Sequence, residues 1–159
     1  MKLQLIRNAT LRMSYAQQRF IIDPYLAAKH SLPSYTGASP NPLVELALPP
    51  EEVIAEIELV LISHLHSDHF DPAAQALLPK DIPIFCQPGD DNQIREKGFK
   101  QVTPIKDAIN WRGITISRTP GQHGIGDELP AMGQVSGFVF QAANEPTVRW
   151  VNSPRNCMM

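Results

Sequence analysis

Four side chains of metal-ligating type stand within one short run of this chain, His64-Leu65-His66-Ser67-Asp68-His69. Zinc takes imidazole nitrogen and carboxylate oxygen as ligands, and a catalytic zinc keeps one position for water. Side chains of extended backbone repeat with period two, so His64 and His66 can point to the same side and clasp one ion. Asp68 and His69 are displaced along the loop and can reach a neighbouring ion. Dinuclear sites hold their ions about 3.5–4 Å apart, so one short loop can feed both. His123, in the turn Gly121-Gln122-His123-Gly124, is the natural third histidine for the first ion, because backbone approaches closely at glycine. His30 has no partner in sequence and reads as exposed. The plain alternative is a set of surface histidines in a polar turn. Placement argues against it, since the run directly follows an apolar strand and directly precedes a capped helix.

The elements that must position these residues follow from the hydrophobic pattern. The chain opens with short strands at Leu3 to Ile6, Leu11 to Tyr15 and Arg19 to Asp23, the last closed by Pro24. A stretch from about Ala27 to Pro50 is rich in Pro, Ser, Gly and Ala; it is either a functional loop or a surface excursion. Pro49-Pro50-Glu51-Glu52 suits a helix start, with the helix running to about Ile57. Leu59 to Ser63 reads as a strand buried on both faces. Asp71-Pro72 gives an N-cap with proline at the first helical position, and the helix Ala73 to Leu78 follows. Then come a strand at Ile82 to Cys86, a helix from Asp90 to Lys97 ending at Gly98, and a strand at Gln101 to Pro104. Strands at Ala108 to Trp111, Ile114 to Thr119, Val135 to Gln141 and Thr147 to Val151 complete the pattern, with Gly121 to Gly133 as a second loop. Strands, then alternating strands and helices, then strands again predict an α/β layered domain with a mixed sheet.

Composition sets outer limits. The chain has 159 residues, 43% hydrophobic and 19% charged, which predicts one globular domain with a substantial core. A formal net charge of −2 gives no reason to expect nucleic acid or an anionic membrane as partner. No apolar run approaches the length of a membrane span. Cys86 and Cys157 lie far apart and make no metal-binding pair; Cys86, inside an apolar run, reads as a buried thiol. A reducing, cytoplasmic setting fits these features.

The motif, the strand end Ile22-Asp23-Pro24, the Gly-Gln-His-Gly turn and the strand pair after it together resemble the metallo-β-lactamase superfamily. The likeness is to its bacterial metal-dependent hydrolase branch, which includes the L-ascorbate-6-phosphate lactonase-like proteins. The resemblance implies an αββα sandwich, here incomplete at the C-terminus, with a single partial domain over 1–151 and an irregular tail over 152–159. It implies that His64, His66 and His123 hold one metal and that Asp68 and His69 serve a second, Asp68 also orienting the attacking water. Asp23 matches the family's early acidic position, supporting the metal ligands rather than joining them. Where the family places Gly-Asp-Thr, whose aspartate bridges the metals, this chain reads Asn152-Ser153-Pro154, and the family's last histidine has no counterpart. The tail to Met159 reads as the end of a truncated frame.

Two functions follow as expectations. One is a hydrolase of a lactone, cyclic ester or phosphoester, a small-molecule substrate, with Zn²⁺ as cofactor: one ion here, two in the intact family, with Mn²⁺ or Fe²⁺ as substitutes. Asp68 would be its general base, and the loops Ala27 to Pro50 and Gly124 to Gly133 would line its pocket. The other is a non-catalytic metal-binding remnant. A homodimer covering the open edge of the sandwich is expected in either case.

Overall fold

Two tight hairpins start the fold. In the computed structural model, which describes residues 1–34, 37–122 and 133–151, β1 (Lys2–Arg7), β2 (Thr10–Tyr15) and β3 (Gln18–Ile22) form an antiparallel meander. The β2–β3 turn is two residues long, Ala16 and Gln17, both with positive φ. That matches the right-handed twist of the flanking strands. Chain order then changes character. β4 (Leu59–Ile62), β5 (Pro83–Cys86) and β6 (Gln101–Pro104) add in parallel, giving a six-stranded mixed sheet in sequential order.

The apolar runs have a direct structural use. Alternate residues of β3, β4 and β5 face opposite sides of the sheet, and each side meets its own core. Phe20, Ile22, Leu59, Leu61 and Phe85 face inward to a second sheet. Ile21, Val60, Ile62, Ile84 and Cys86 face the helices α1 (Pro50–Ile54), α2 (Pro72–Leu77) and α3 (Asp91–Glu96), through Val53, Ala74 and Ile94. Helices therefore cover one face and strands the other.

The second sheet is antiparallel: β7 (Ala108–Trp111), β8 (Ile114–Gln122), β9 (Gln134–Gln141) and β10 (Val148–Trp150), in the order β10-β9-β8-β7. Ile114, Ile116, Phe138 and Phe140 supply its inner face. The Tyr15 hydroxyl donates to the carbonyls of Phe140 (3.2 Å) and Pro146 (2.9 Å), joining the two sheets. Among the described residues the layers are thus helix, sheet, sheet, the α/β metallo-β-lactamase-like arrangement expected. No helix among them is long and apolar enough to cross a membrane.

Element bounds shift by a residue or so from the sequence reading, with two larger differences. Helix α1 ends at Ile54 rather than Ile57, because Glu56 takes a left-handed φ of 62° that no helix continues through. Strand β8 runs past Thr119 into Gly121 and Gln122, where the expected loop begins, because β9 continues the ladder as far as Gln134. The tail 152–159 lies outside the described residues.

The proline-rich stretch is tied down by Arg7. Its guanidinium donates to the carbonyls of Tyr25 (2.9 Å), Ala27 (2.7 Å) and Val44 (3.1 Å) and lies over the Tyr25 ring. Burial pushes its pKa down. The stretch lines a groove of about 420 Å³ with Leu26, Ala28, Leu46 and Leu48, and none of the groove's lining residues belongs to the histidine motif.

Candidate metal centre

The parallel strands β3 and β4 end side by side, and the site grows from their ends. The Asp23 amide donates to Leu61 O (2.9 Å), carrying the ladder one step past β3. Asp23 itself has φ 48°, a left-handed conformation that Asp tolerates better than most residues. Thr10 holds this turn, its hydroxyl donating to Asp23 O (2.7 Å) and accepting from the Tyr25 amide (2.9 Å).

The fully buried Asp23 carboxylate then points at the residues leaving β4. Its Oδ1 accepts the Ser63 amide at 2.7 Å, and its Oδ2 accepts the Ser63 hydroxyl at 2.6 Å. The same Oδ2 lies 2.8 Å from His69 Nδ1. A buried carboxylate needs such partners to offset its lost hydration. Ser63 Oγ in turn lies 2.9 Å from His64 Nδ1.

The motif closes into a turn in which the His69 and Phe70 amides donate to His66 O, at 2.9 and 3.1 Å. This brings three imidazoles together, with ring centroids 4.4 Å apart for His64 and His66 and 4.0 Å for His64 and His69. Asp68 Oδ2 lies 3.7 Å from His69 Nε2, the ring nitrogen opposite the one held by Asp23. His64 and His69 are almost fully buried, whereas His66 and Asp68 are partly exposed.

Downstream, Asp71 caps α2 as expected, accepting the Ala73 and Ala74 amides (3.1 and 3.3 Å). It also accepts the Leu26 amide (2.8 Å), fixing the segment after Asp23 to the segment after the motif. Burial raises the Asp71 pKa above its ordinary value despite these hydrogen bonds and nearby Arg7.

The structure thus brings together His64, His66, Asp68, His69 and Asp23, with Asp23 held against His69 and Ser63. His30 is exposed and apart, as expected. His123 and the loop from Gly124 to Met132 lie outside the described residues, as does Ser153. The sequence reading missed Ser63; its one signal was a hydroxyl directly before the motif at the end of a buried strand.

Imidazole nitrogen with carboxylate oxygen is the donor chemistry of zinc and of divalent iron or manganese. A carboxylate on the far nitrogen of a histidine is the usual support for a metal-ligating ring. The residues present fit a divalent metal on both counts. Among the described residues no group of three or more His, Cys, Asp or Glu side chains converges closely enough to hold an ion.

Comparison with known proteins agrees with this chemistry. The family model for the beta-lactamase superfamily domain matches residues 18–151. The UPF0173 protein YddR of Bacillus subtilis is 37% identical over 151 residues, 91% of this chain and 59% of that protein. Among solved structures, a possible metal-dependent hydrolase from Veillonella parvula superposes with a TM-score of 0.88 at 35% identity, over 94% of this chain and 61% of that one. An isothiocyanate hydrolase from Delia radicum gut bacteria gives 0.85 at 39% identity, with the same coverage. The chain therefore spans about three-fifths of the length of these relatives.

Proposed function

Because the chain belongs to the metallo-β-lactamase superfamily, we propose that it is the metal-binding part of a hydrolase that activates water against an electrophilic centre. The observation that carries this reading is the Asp23–His69 pair with Asp68 across the ring. In it a ligand-type histidine is oriented from behind and faces a carboxylate in front. His64 and His66, with His123, would hold one ion; Asp68 and His69 would serve a second. Zinc is the first choice, with Mn²⁺ and Fe²⁺ as substitutes. The bound metal would supply a positive charge that acidifies water to near pH 7 and polarises the scissile group. Asp68, partly exposed, would accept the proton as the water attacks.

Lactones, cyclic esters and phosphoesters are the substrate classes implied by likeness to the ascorbate-6-phosphate lactonase-like proteins. The isothiocyanate hydrolase among the similar structures adds a heterocumulene carbon, also attacked by water. A second reading, a non-catalytic metal binder, is favoured by Ser153 standing where the family's bridging aspartate belongs. Self-association is proposed with either, supported by Leu3 and Leu5, which lie exposed on β1 at the sheet edge.

Calorimetric titration of the metal-free chain with zinc, followed by turnover of an aryl isothiocyanate, a lactone and an aryl phosphodiester, tests the proposal. About one zinc per chain with turnover of any of the three supports it. Zinc without turnover selects the non-catalytic reading, and no zinc binding removes both.

A further inference from the structure

We propose that Ser63 is a positioning residue, whose hydroxyl relays the Asp23 carboxylate to His64 and so fixes that ring with its proton on Nδ1. The argument is a count of protons. A carboxylate oxygen only accepts, so at 2.6 Å from Asp23 Oδ2 the Ser63 hydroxyl must spend its single proton there. At 2.9 Å from His64 Nδ1, Ser63 Oγ can then act only as acceptor, and His64 must donate from Nδ1. The reverse arrangement, Ser63 donating to His64, would leave two oxygens 2.6 Å apart with no proton between them. The same rule fixes His69, which must donate from Nδ1 to Asp23 Oδ2 at 2.8 Å.

A neutral imidazole protonated at Nδ1 carries its lone pair on Nε2, the atom that binds a metal. One buried carboxylate therefore sets the tautomer of two rings, His69 directly and His64 through one hydroxyl. On the reading proposed above, these two histidines serve different ions. Asp23 and Ser63 thus give the two metal positions a shared scaffold, prepared before any metal arrives. This functional meaning rests on that reading; the ring tautomers do not.

The test uses the full chain without metal. Two-bond ¹H–¹⁵N spectra of the histidine rings, recorded near pH 8 where ordinary imidazoles are neutral, report which nitrogen carries the proton. The His64 signals are assigned by their loss in His64→Asn. In the wild type, His64 and His69 should both be protonated on Nδ1. Ser63→Ala should release His64 to a tautomer mixture while leaving His69 as it was. Ser63→Thr, which keeps the hydroxyl, should restore the wild-type pattern and serves as the folded control. Zinc titration should show a loss of affinity of about 10–100-fold in Ser63→Ala and little in Ser63→Thr. A wild-type His64 protonated on Nε2, or a Ser63→Ala spectrum and zinc affinity equal to the wild type, would overturn the proposal. A wild-type protein with the stated tautomers that binds no zinc would uphold the relay and reject the hydrolase reading instead.

Discussion

The two oxygens of the buried Asp23 carboxylate serve one amide, one hydroxyl and one imidazole. Asp23→Ala withdraws the acceptor these three donors share, and urea unfolding should show a loss of at least about 2 kcal/mol. His66→Ala should abolish tight zinc binding in calorimetry, because on the proposed reading it removes one of three histidines holding the first ion; an unchanged affinity would refute that ligand assignment. Asp71 gives a pH dependence of definite sign. Burial raises its folded pKa above the ordinary 3.8, so its contribution to stability is fully present below that value and is lost as pH rises through the folded pKa. Asp71→Asn keeps an acceptor for Leu26 and Ala74 but does not titrate. Its cost relative to the wild type should therefore be larger near pH 4 than near pH 7 in paired urea titrations. That the four motif residues gather in one turn was legible in the sequence, because their types and close spacing point to a shared chemistry. The role of Ser63 was not, since a serine at a strand end carries no signal until the neighbouring strand brings Asp23 beside it.

At the scale of elements, β9 shows how little room the second sheet leaves. A Cβ built on Gly137 would lie 2.6 Å from Thr119 Oγ1 and 2.8 Å from Trp150 O, so strands on both sides press on this position. Gly137→Ala should cost about 1–3 kcal/mol, read as a lower urea midpoint with an unchanged slope. The β2–β3 turn offers the opposite case. Gln17 holds φ 63° without being glycine, and Gln17→Gly should raise the urea midpoint, a gain of up to about 1 kcal/mol from relieved left-handed strain. Most elements could be read from the pattern because their apolar periods are clear: unbroken in β4, alternating at the start of β8. The early end of α1 could not, because Ala55-Glu56-Ile57 has no proline or glycine to announce a break. The extension of β8 through Pro120 and Gly121 was hidden for the converse reason. Two residues that ordinarily end strands are held in the ladder by pairing with Ser136 and Val135 of β9.

For the whole molecule, the mixed sheet separates two cores, and Cys86 lies on its helix-facing side. Burial pushes the Cys86 thiol up to about 12, so it should resist alkylation near pH 8 until the chain unfolds. The inner face of the same sheet stays covered as far as Tyr15 and Met13, whereas Leu3 and Leu5 on β1 are 45% and 69% exposed. The layered architecture was legible from the order of strands and helices; which strand would lie under an open edge was not, because only the stacking of two sheets decides it. Sedimentation of the wild type beside Leu5→Glu should show the variant with the smaller assembly if this edge joins two copies. The sheets also meet where the Ser136 amide of β9 donates to Ser63 O at 3.2 Å, one residue before the motif. That amide is a natural clock for the histidine loop. Its hydrogen exchanges with solvent only when this contact breaks, so its deuteration rate measures how often β9 and the strand end before the motif part.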